Sequence, residues 1–577
     1  MLIKLTILII YFVINLSWSS YGLNQIYYAI SDINGYISIQ SFPQGNVIGK
    51  VNYSHSLNTT GWDYLEIQTS KTADSEAQAY AAGLLEGWVT ANLIHLYWIN
   101  TLKNYCDDRN DTCKRLNEYI QKNKEWVMSE VDKKNGSDSY WYQVGLVYKQ
   151  IDGLHDGYIL AKTPEMEELS WDTFFWMNIQ EDLYDLSSAL NLTKVKHKPF
   201  GTGSCSALIK LLPGYKDLLF SHVTWNWYET MLRIQKRYHL RYKINKISNQ
   251  LVFGQDITFS SYPGFVHSLD DFYITSAGLA VMETTNNIYN KSLWLDVQPI
   301  GQIFVFIRSM VANRISRDGT DWAKIFKLHN SGTYNNQWMI INYSLFKPNG
   351  TIPKHGLLVV LEQIPGFVER RDLTRHLINQ TYWASYNVPA FPNIFNMSGS
   401  REMQDRYGRW FSHSDTPRAR IFARDQIKVV DEQSMLNLMR SNDFKHDPES
   451  ECNCTPPYSS ENAISSRNDL NDPNGVYPIE ALKYSNWGAI DVKITSNKLS
   501  QKLQFIAASG PTKGTNDSLG IFCWSKTNFK NISHLGQPDC WDFPAKTYKW
   551  NNFVNLRSNI SNWFSFVFKY EKYNNAL

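Results

Sequence analysis

Residues 194–204, KVKHKPFGTGS, divide this chain into two unlike parts. The segment is basic, carries Pro199, and has glycines at Gly201 and Gly203, so it reads as an exposed linker open to processing. Directly after it, CSALIKLLPGYKDLLFSHVTW holds two apolar strand-like runs around the turn signal Pro213-Gly214. A turn centred on that dipeptide makes paired positions face one another so that Cys205 meets His222, with Cβ atoms about 5 Å apart. A longer PGYKD loop shifts this register, and Pro-Gly favours a type II turn that splays hairpins. A thiol beside an imidazole is the minimum arrangement for an activated nucleophile. The plainer reading is a small buried hydrophobe next to an ordinary strand histidine.

The remaining periodicities describe a mixed fold. QIYYAISDINGYISIQ alternates around Asn34-Gly35, which reads as a β-hairpin. The run from Ala73 to Leu102 is helical, with Asp74 or Ser75 able to cap it and small residues at 81–83. NWYETMLRIQKRYHL, with Tyr228, Met231, Leu232 and Tyr238 on one face, predicts a helix. Further strands are expected in NQLVFGQDITFSSY, YITSAGLAVMETT and GLLVVLEQI, and helices in DGTDWAKIFKLHN and DEQSMLNLMRSNDF. No solenoid-length repeat intervenes. Strands clustered with flanking helices place the chain in the α+β class, in a layered architecture.

The N-terminus points to export. Lys4 precedes an apolar run from Leu5 to Leu16, too short to span a bilayer, and small residues at 17–22 offer signal-peptidase sites. Residues 1–22 therefore read as a signal peptide, and the destination as secreted or lysosomal. No later run is long enough to cross a membrane, and 57 basic against 54 acidic residues leave no surplus for nucleic acid. Asn-x-Ser/Thr sequons occur at Asn52, Asn58, Asn110, Asn135, Asn191, Asn290, Asn342, Asn349, Asn379, Asn396, Asn453, Asn516, Asn531 and Asn559. Six of the seven cysteines form locally closable pairs, Cys106 with Cys113, Cys452 with Cys454 and Cys523 with Cys540. Six cysteines nevertheless allow about fifteen connectivities. This pairing leaves Cys205 alone. No metal site is expected, because the cysteines lack a second pair at zinc spacing and a histidine cluster.

Other chemistries fit poorly. There is no G-x-S-x-G elbow, no H-E-x-x-H and no phosphate-binding glycine loop. Asn516-Asp517-Ser518-Leu519 is one residue from a G-D-S-L motif, and NDLNDPNG lacks the closing Glu of an EF-hand. Asp270 and Asp271 read as acid/base groups or as solvated turn carboxylates. Arg370 and Arg371 suit an anionic head group or a charged loop. His155-Asp156 and His446-Asp447 read as structural pairs.

GSCSALIKLLPGYKDLLFSHVTWNWYETMLRIQKRY resembles the phospholipase B-like proteins. The similarity continues through AYAAGLLEGWVT, SYPGFVHSLDDFYI, NSGTYNNQWMIINY, LEQIPG, TYWASYNVP, NDFKHDP, ENAISSRNDLN and GAIDVKITS. These blocks cover nearly the whole mature chain. The resemblance implies a four-layer αββα sandwich of the N-terminal-nucleophile hydrolase type. It also implies self-cleavage between Ser204 and Cys205, giving an N-terminal fragment, 23–204, that stays associated with a C-terminal one, 205–577. A mid-chain amide nitrogen cannot accept a proton, whereas the α-amine freed by the cut can. Its reference pKa is near 8, so in an acidic lumen it must be depressed to serve. By the same resemblance Cys205 attacks an acyl carbonyl, His222 assists, and Thr285 (or its neighbour Thr284) and Asn335 surround the oxyanion. The implied substrate is a glycerophospholipid, reached by transient contact with a membrane surface and without a cofactor. An amidase acting on N-acyl lipids, or a lumenal glycoprotein that binds lipid without turnover, are the alternatives.

Overall fold

The computed structural model describes residues 24–105, 110–192 and 198–551. The signal-like residues 1–22, Cys106, linker residues 194–197 and Asn559 lie outside these, as does the side chain of Asn110.

Two sheets carry the architecture. The larger has eleven strands in the order Phe367–Asp372, Leu358–Ile364, Asn336–Asn342, Leu279–Thr285, Phe272–Thr275, Asp256–Ser261, Ile234–His239, Asp63–Thr69, Asn46–Ser54, Gln25–Ser31 and Ile37–Gln40. The smaller, of seven strands, centres on Cys205–Leu211 and Leu218–Trp227, flanked by Tyr382–Ser385 and Asp491–Thr495. Period-2 alternation explains how the sheets stack. Ala207, Ile209, Leu218 and Phe220 from the smaller sheet pack with Ala280, Met282, Met339 and Val360 from the larger in one core between them. The opposite faces are also covered. Leu208, Leu219, Val223 and Trp225 meet Phe422 and Met435 of the helices Pro417–Asp425 and Glu432–Met439. Helices Ser75–Thr101, Ser139–Ala161 and Val305–Ile315 cover the larger sheet.

Helix Ser75–Thr101 starts where expected, because the Asp74 carboxylate accepts from the Ala77 N–H at 2.8 Å. It packs on Ser139–Ala161 at near backbone contact, through Gly83 and Gly87 on one helix and Gly153 and Gly157 on the other. A Cβ at Gly153 would overlap the carbonyl oxygen of Tyr80 and lie 2.8 Å from the Leu84 nitrogen. The hairpin at 25–40 forms, with Ser31 paired to Ile37 and Gly35 at φ 83° in the loop.

The helix expected over 226–240 does not form. Tyr228–Thr230 makes one 3-10 turn, and Ile234–His239 is a strand. That strand pairs on both edges, parallel to Asp63–Thr69 and antiparallel to Asp256–Ser261. Ladder pairing and burial of Ile234 and Tyr238 against the helices outweigh the helical spacing.

The central hairpin also corrects the expected register. Leu211 pairs with Leu218, so Ala207 faces His222 and Cys205 faces Thr224. The connection runs through Gly214 and Tyr215, at φ 68° and 58°, and the Leu212 N–H donates to the Asp217 carbonyl at 3.0 Å. The shift is two residues. Since strand faces alternate with period 2, His222 stays on the same face as Cys205, one diagonal step away.

Cys452–Cys454 and Cys523–Cys540 are disulfides, Cys113 is disulfide-bonded, and Cys205 is a free, buried thiol. Most described sequon asparagines are at least partly exposed. Asn342 is the exception, at 6% exposure and with its side chain accepting from the Ser344 N–H, so a glycan there does not fit the folded chain. No helix among the described residues is long and apolar enough to cross a membrane.

Candidate active site

The linker is not exposed where it matters. Phe200 is at the surface, but Thr202, Gly203 and Ser204 are buried and lead into a wholly buried strand. Each peptide group is held. Gly203 donates its N–H to Glu461 Oε1 at 2.8 Å, and its carbonyl accepts from Trp487 Nε1 at 2.9 Å. The Ser204 carbonyl accepts from the Trp225 N–H at 2.7 Å. Asn387 Oδ1 accepts from the N–H groups of both Ser204, at 3.0 Å, and Cys205, at 3.3 Å. Asn387 has φ 69°, and its Nδ2 donates to the Thr285 carbonyl at 2.7 Å, which fixes the direction of Oδ1. The Arg418 guanidinium donates to the Cys205 carbonyl and, at 3.3 Å, to Ser206 Oγ. Gly203 is required here, since a Cβ would lie 2.7 Å from Arg418 Nη2 and 2.9 Å from the Trp225 ring.

Cys205 is 3% exposed, and its Sγ lies 3.9 Å from Glu283 Oε1. Sγ, a carboxylate oxygen of Glu283 and a ring nitrogen of His222 lie within 4.8 Å of one another. His222 Nε2 sits 2.9 Å from the Glu283 backbone carbonyl. A carbonyl only accepts, so Nε2 carries the proton and Nδ1 the lone pair. Burial, reinforced by Lys493, pushes the imidazole well below its ordinary pKa, so it is a neutral base. Burial and then Glu283 push the Cys205 thiol well up. In the intact chain, then, a protonated Cys205 thiol lies beside a neutral His222 imidazole. Burial also raises Glu283, to about 8, and Tyr334 Oη lies 3.0 Å from its Oε1.

Beneath lies a buried ionic network. Asp270 pairs with Arg233 at 2.8 Å and Lys493 at 2.6 Å, while Asp491 pairs with Arg233 at 2.7 Å and Lys493 at 2.9 Å. Burial alone would raise the Asp270 pKa, but Arg233 and Lys493 overcome it and hold the carboxyl far below the usual range. Thr224 Oγ1 donates its proton to Asp270 at 2.9 Å, so its 3.5 Å approach to His222 Nδ1 places this network beside the imidazole without occupying the Nδ1 lone pair.

The structure thus brings Cys205, His222 and Ser204 together and places other expected residues differently. Asn335 is buried, but its Nδ2 is committed to Asp185 at 2.9 Å and to the Gly332 carbonyl at 2.8 Å, so it holds no free oxyanion donor. Thr285 enters through its backbone carbonyl, and the Thr284 hydroxyl is paired with Ser385. Asp270 and Asp271 are buried at 3% and 0% exposure, not solvated turn carboxylates. Arg370 and Arg371 are exposed on the outermost strand of the larger sheet, where Arg371 pairs with Glu369. His155 contacts Asp156 at 3.0 Å, whereas His446 pairs with Asp443 rather than Asp447. Glu283, Asn387, Arg418 and Glu461 were not singled out in the sequence. Glu283 adjoins Thr284-Thr285 in METTNN, and Asn387 lies in TYWASYNVP, so local signals for both existed.

Several buried carboxyls near the site keep their proton to higher pH than usual. Burial raises Asp185 to about 6 and Asp182 and Glu461 to about 7. Each binds a proton in the folded chain that the unfolded chain releases from near pH 4, so stability falls as pH rises through these values. Asp270 acts in the opposite sense, and its contribution is lost only in stronger acid, below its ordinary value. Between pH 5 and pH 8 Asp185 should lose about 1 kcal/mol, and Asp182, Glu461 and the likewise raised Glu362 about 3 kcal/mol each. The histidines His222, His267 and His413, held neutral by burial, return about 2 kcal/mol each over the same range. The losses are larger, so the melting temperature should be higher at pH 5 than at pH 8. Calorimetric scans at the two pH values check this, and a higher melting temperature at pH 8 would contradict it.

The linker thus runs into a buried thiol–imidazole–carboxyl cluster, and comparison with known proteins names the class of chain that carries it. Residues 49–548 match the family model described as Phospholipase B. The bovine (Bos taurus) protein named "Putative phospholipase B-like 2" is 45% identical over 513 residues, covering 88% of this chain and 86% of that protein. The Homo sapiens protein of the same name is 45% identical over 516 residues, with 88% and 86% covered. A Caenorhabditis elegans protein named "Putative phospholipase B-like 1" is 43% identical over 505 residues, with 86% and 87% covered. The chain belongs to the phospholipase B family.

Proposed function

We propose that the chain is a lumenal acyl hydrolase of the N-terminal-nucleophile type, matured by its own Cys205. The observation that carries this reading is how the Ser204–Cys205 bond is presented. Its carbonyl accepts from the Trp225 N–H at 2.7 Å, its N–H and that of Ser204 both donate to Asn387 Oδ1, and Sγ adjoins His222 and Glu283. Two sheets packed face to face between helical layers are the architecture expected of the αββα sandwich.

In the maturation step Sγ attacks the Ser204 carbonyl carbon while the thiol proton passes to His222 Nδ1. The Trp225 N–H stabilises the oxyanion, the C–N bond breaks, and the Cys205 nitrogen takes the proton. Ser204 is left as a thioester on Sγ, and water hydrolyses it to a carboxylate and the free thiol. The freed α-amine remains beside Asn387 Oδ1 and becomes the base for later turnovers, in which Sγ takes the acyl group of a lipid and water releases it. The two fragments stay joined, because the strand Asp63–Thr69 from before the cut pairs with Ile234–His239 from after it. The family description and the relatives' names support a phospholipid ester as substrate. One observation favours an amide instead, since the bond that the structure presents to Cys205 is itself an amide.

The apolar N-terminus and the sequons support a secreted or lysosomal location. N-terminal sequencing of the mature protein should find a fragment beginning at Cys205. That preparation should hydrolyse phosphatidylcholine at least tenfold faster than an N-acylethanolamine. The reverse order would make it an amidase, and an intact chain after signal removal would end the maturation scheme.

A further inference from the structure

Before reaching Ser204, the linker seats two side chains of opposite character. Lys198 Nζ lies 2.7 Å from Glu181 Oε2 and 3.3 Å from Ser204 Oγ. It stands 4.7 Å from the Tyr184 ring centroid and 5.5 Å from that of Trp487. This is a cation held by a carboxylate and two aromatic faces, with the Lys198 and Glu181 side chains only 15% and 6% exposed. Two residues on, Phe200 packs among Tyr289, Tyr407 and Phe411, with ring centroids 5.6–5.7 Å apart.

Only the occupants belong to the linker. Glu181 and Tyr184 stand at and in the helix Asp182–Ala189, and Trp487 begins the strand Trp487–Ala489. Asn226 Nδ2 donates to Glu181 Oε1 at 3.3 Å, and Trp227 Nε1 donates to the Tyr184 hydroxyl at 3.1 Å. The cage is therefore built independently of Lys198. A buried carboxylate stripped of its cation is costly, so a vacated cage favours another cation over an empty pocket. The occupant's distance from Ser204 places that cation next to the bond on which Cys205 acts.

We infer that, once the linker withdraws, Glu181, Tyr184 and Trp487 bind the primary ammonium of an amphiphilic substrate, and the aromatic slot left by Phe200 takes part of its apolar chain. The Lys198–Phe200 stretch is a built-in mimic of an amine-bearing lipid. The compact cage, with a carboxylate at hydrogen-bond distance, suits an NH3⁺ group better than a trimethylated one. This inference rests on the acyl-hydrolase reading and on displacement of the linker by the cut.

Calorimetric titration of processed protein with phosphoethanolamine, phosphocholine and glycerol phosphate tests it. Phosphoethanolamine should bind, phosphocholine at least tenfold more weakly, and glycerol phosphate not at all. Glu181→Gln should weaken phosphoethanolamine binding about tenfold or more. Should that variant fail to fold, Tyr184→Leu should weaken it about threefold or more. The uncut Cys205→Ala chain should not bind, because Lys198 fills the cage, and adding Lys198→Ala should restore binding. Binding that is indifferent to the amine or unchanged in Glu181→Gln, or full binding by the uncut chain, would overturn the inference. Hydrolysis of p-nitrophenyl butyrate, which has no amine, reports separately on the parent reading. Turnover without amine binding sinks the cage alone, and binding without turnover sinks the hydrolase alone.

Discussion

Cys205→Ala should yield one uncut chain after signal removal, with hydrolysis of lipid substrates reduced at least about a thousandfold. The structure makes this substitution unusually clean. Cys205 is 3% exposed and its Sγ has only a long contact, 3.9 Å, to Glu283. Replacing the CH2SH side chain by CH3 removes one heavy atom from a small buried site, so the change in stability should stay at about 1 kcal/mol. A thiol that merely filled space would behave differently: its loss would soften the fold slightly and leave both the cut and the activity intact. Electrophoresis and intact-mass measurement report the cut, and phosphatidylcholine hydrolysis reports the activity. Full processing of the variant would move the nucleophile away from Cys205.

Gly153→Ala should prevent accumulation of folded protein, at a cost above about 4 kcal/mol. On helix propensity alone the change would stabilise, since alanine is favoured over glycine by about 1 kcal/mol in a helix interior. Here the added Cβ would overlap the carbonyl oxygen of Tyr80 and lie 2.8 Å from the Leu84 nitrogen. Both are backbone atoms of a packed helix and cannot swing aside. Gly145, on the same helix, is the control, because a Cβ there meets only the Val131 side chain at 3.0 Å. Gly145→Ala should fold and secrete with a loss below about 1 kcal/mol. Secretion level and thermal unfolding of the two variants decide the matter, and equal behaviour would show that the helix crossing is looser than the structure has it.

These outcomes follow from features of unequal visibility in the sequence. The Cys205–His222 relation is preserved because sheet parity is insensitive to a two-residue shift, whereas the PGYKD connection depends on a second positive φ, at Tyr215, that Pro-Gly does not announce. The strand Ile234–His239 was misread as helix because Tyr228, Met231, Leu232 and Tyr238 happen to fall on a helical face. Its fate is decided by two neighbouring strands that are distant in sequence. Asp270 and Asp271 looked like turn carboxylates in HSLDDFY because their partners Arg233, Lys493 and Tyr273 include residues far along the chain. Asn387 and Arg418 have contacts hidden for the same reason, although Asn387 itself lies in the block TYWASYNVP. They hold the backbone of Ser204 and Cys205 from about 180 to 210 residues downstream.

The parallel pairing of Asp63–Thr69 with Ile234–His239 has a last consequence. In the intact chain this pairing closes a loop, and its entropic cost is set by the length of that loop. Under the proposed self-cleavage the same strands would belong to two molecules, and the effective concentration supplied by the linker would be gone. Unfolding of such a cleaved form would release two pieces that meet again only by diffusion, each exposing an unpaired strand edge while it waits. On that scheme folding becomes a one-way event completed before the cut. The working lifetime of the mature form is governed by the height of its unfolding barrier, rather than by an equilibrium it can revisit.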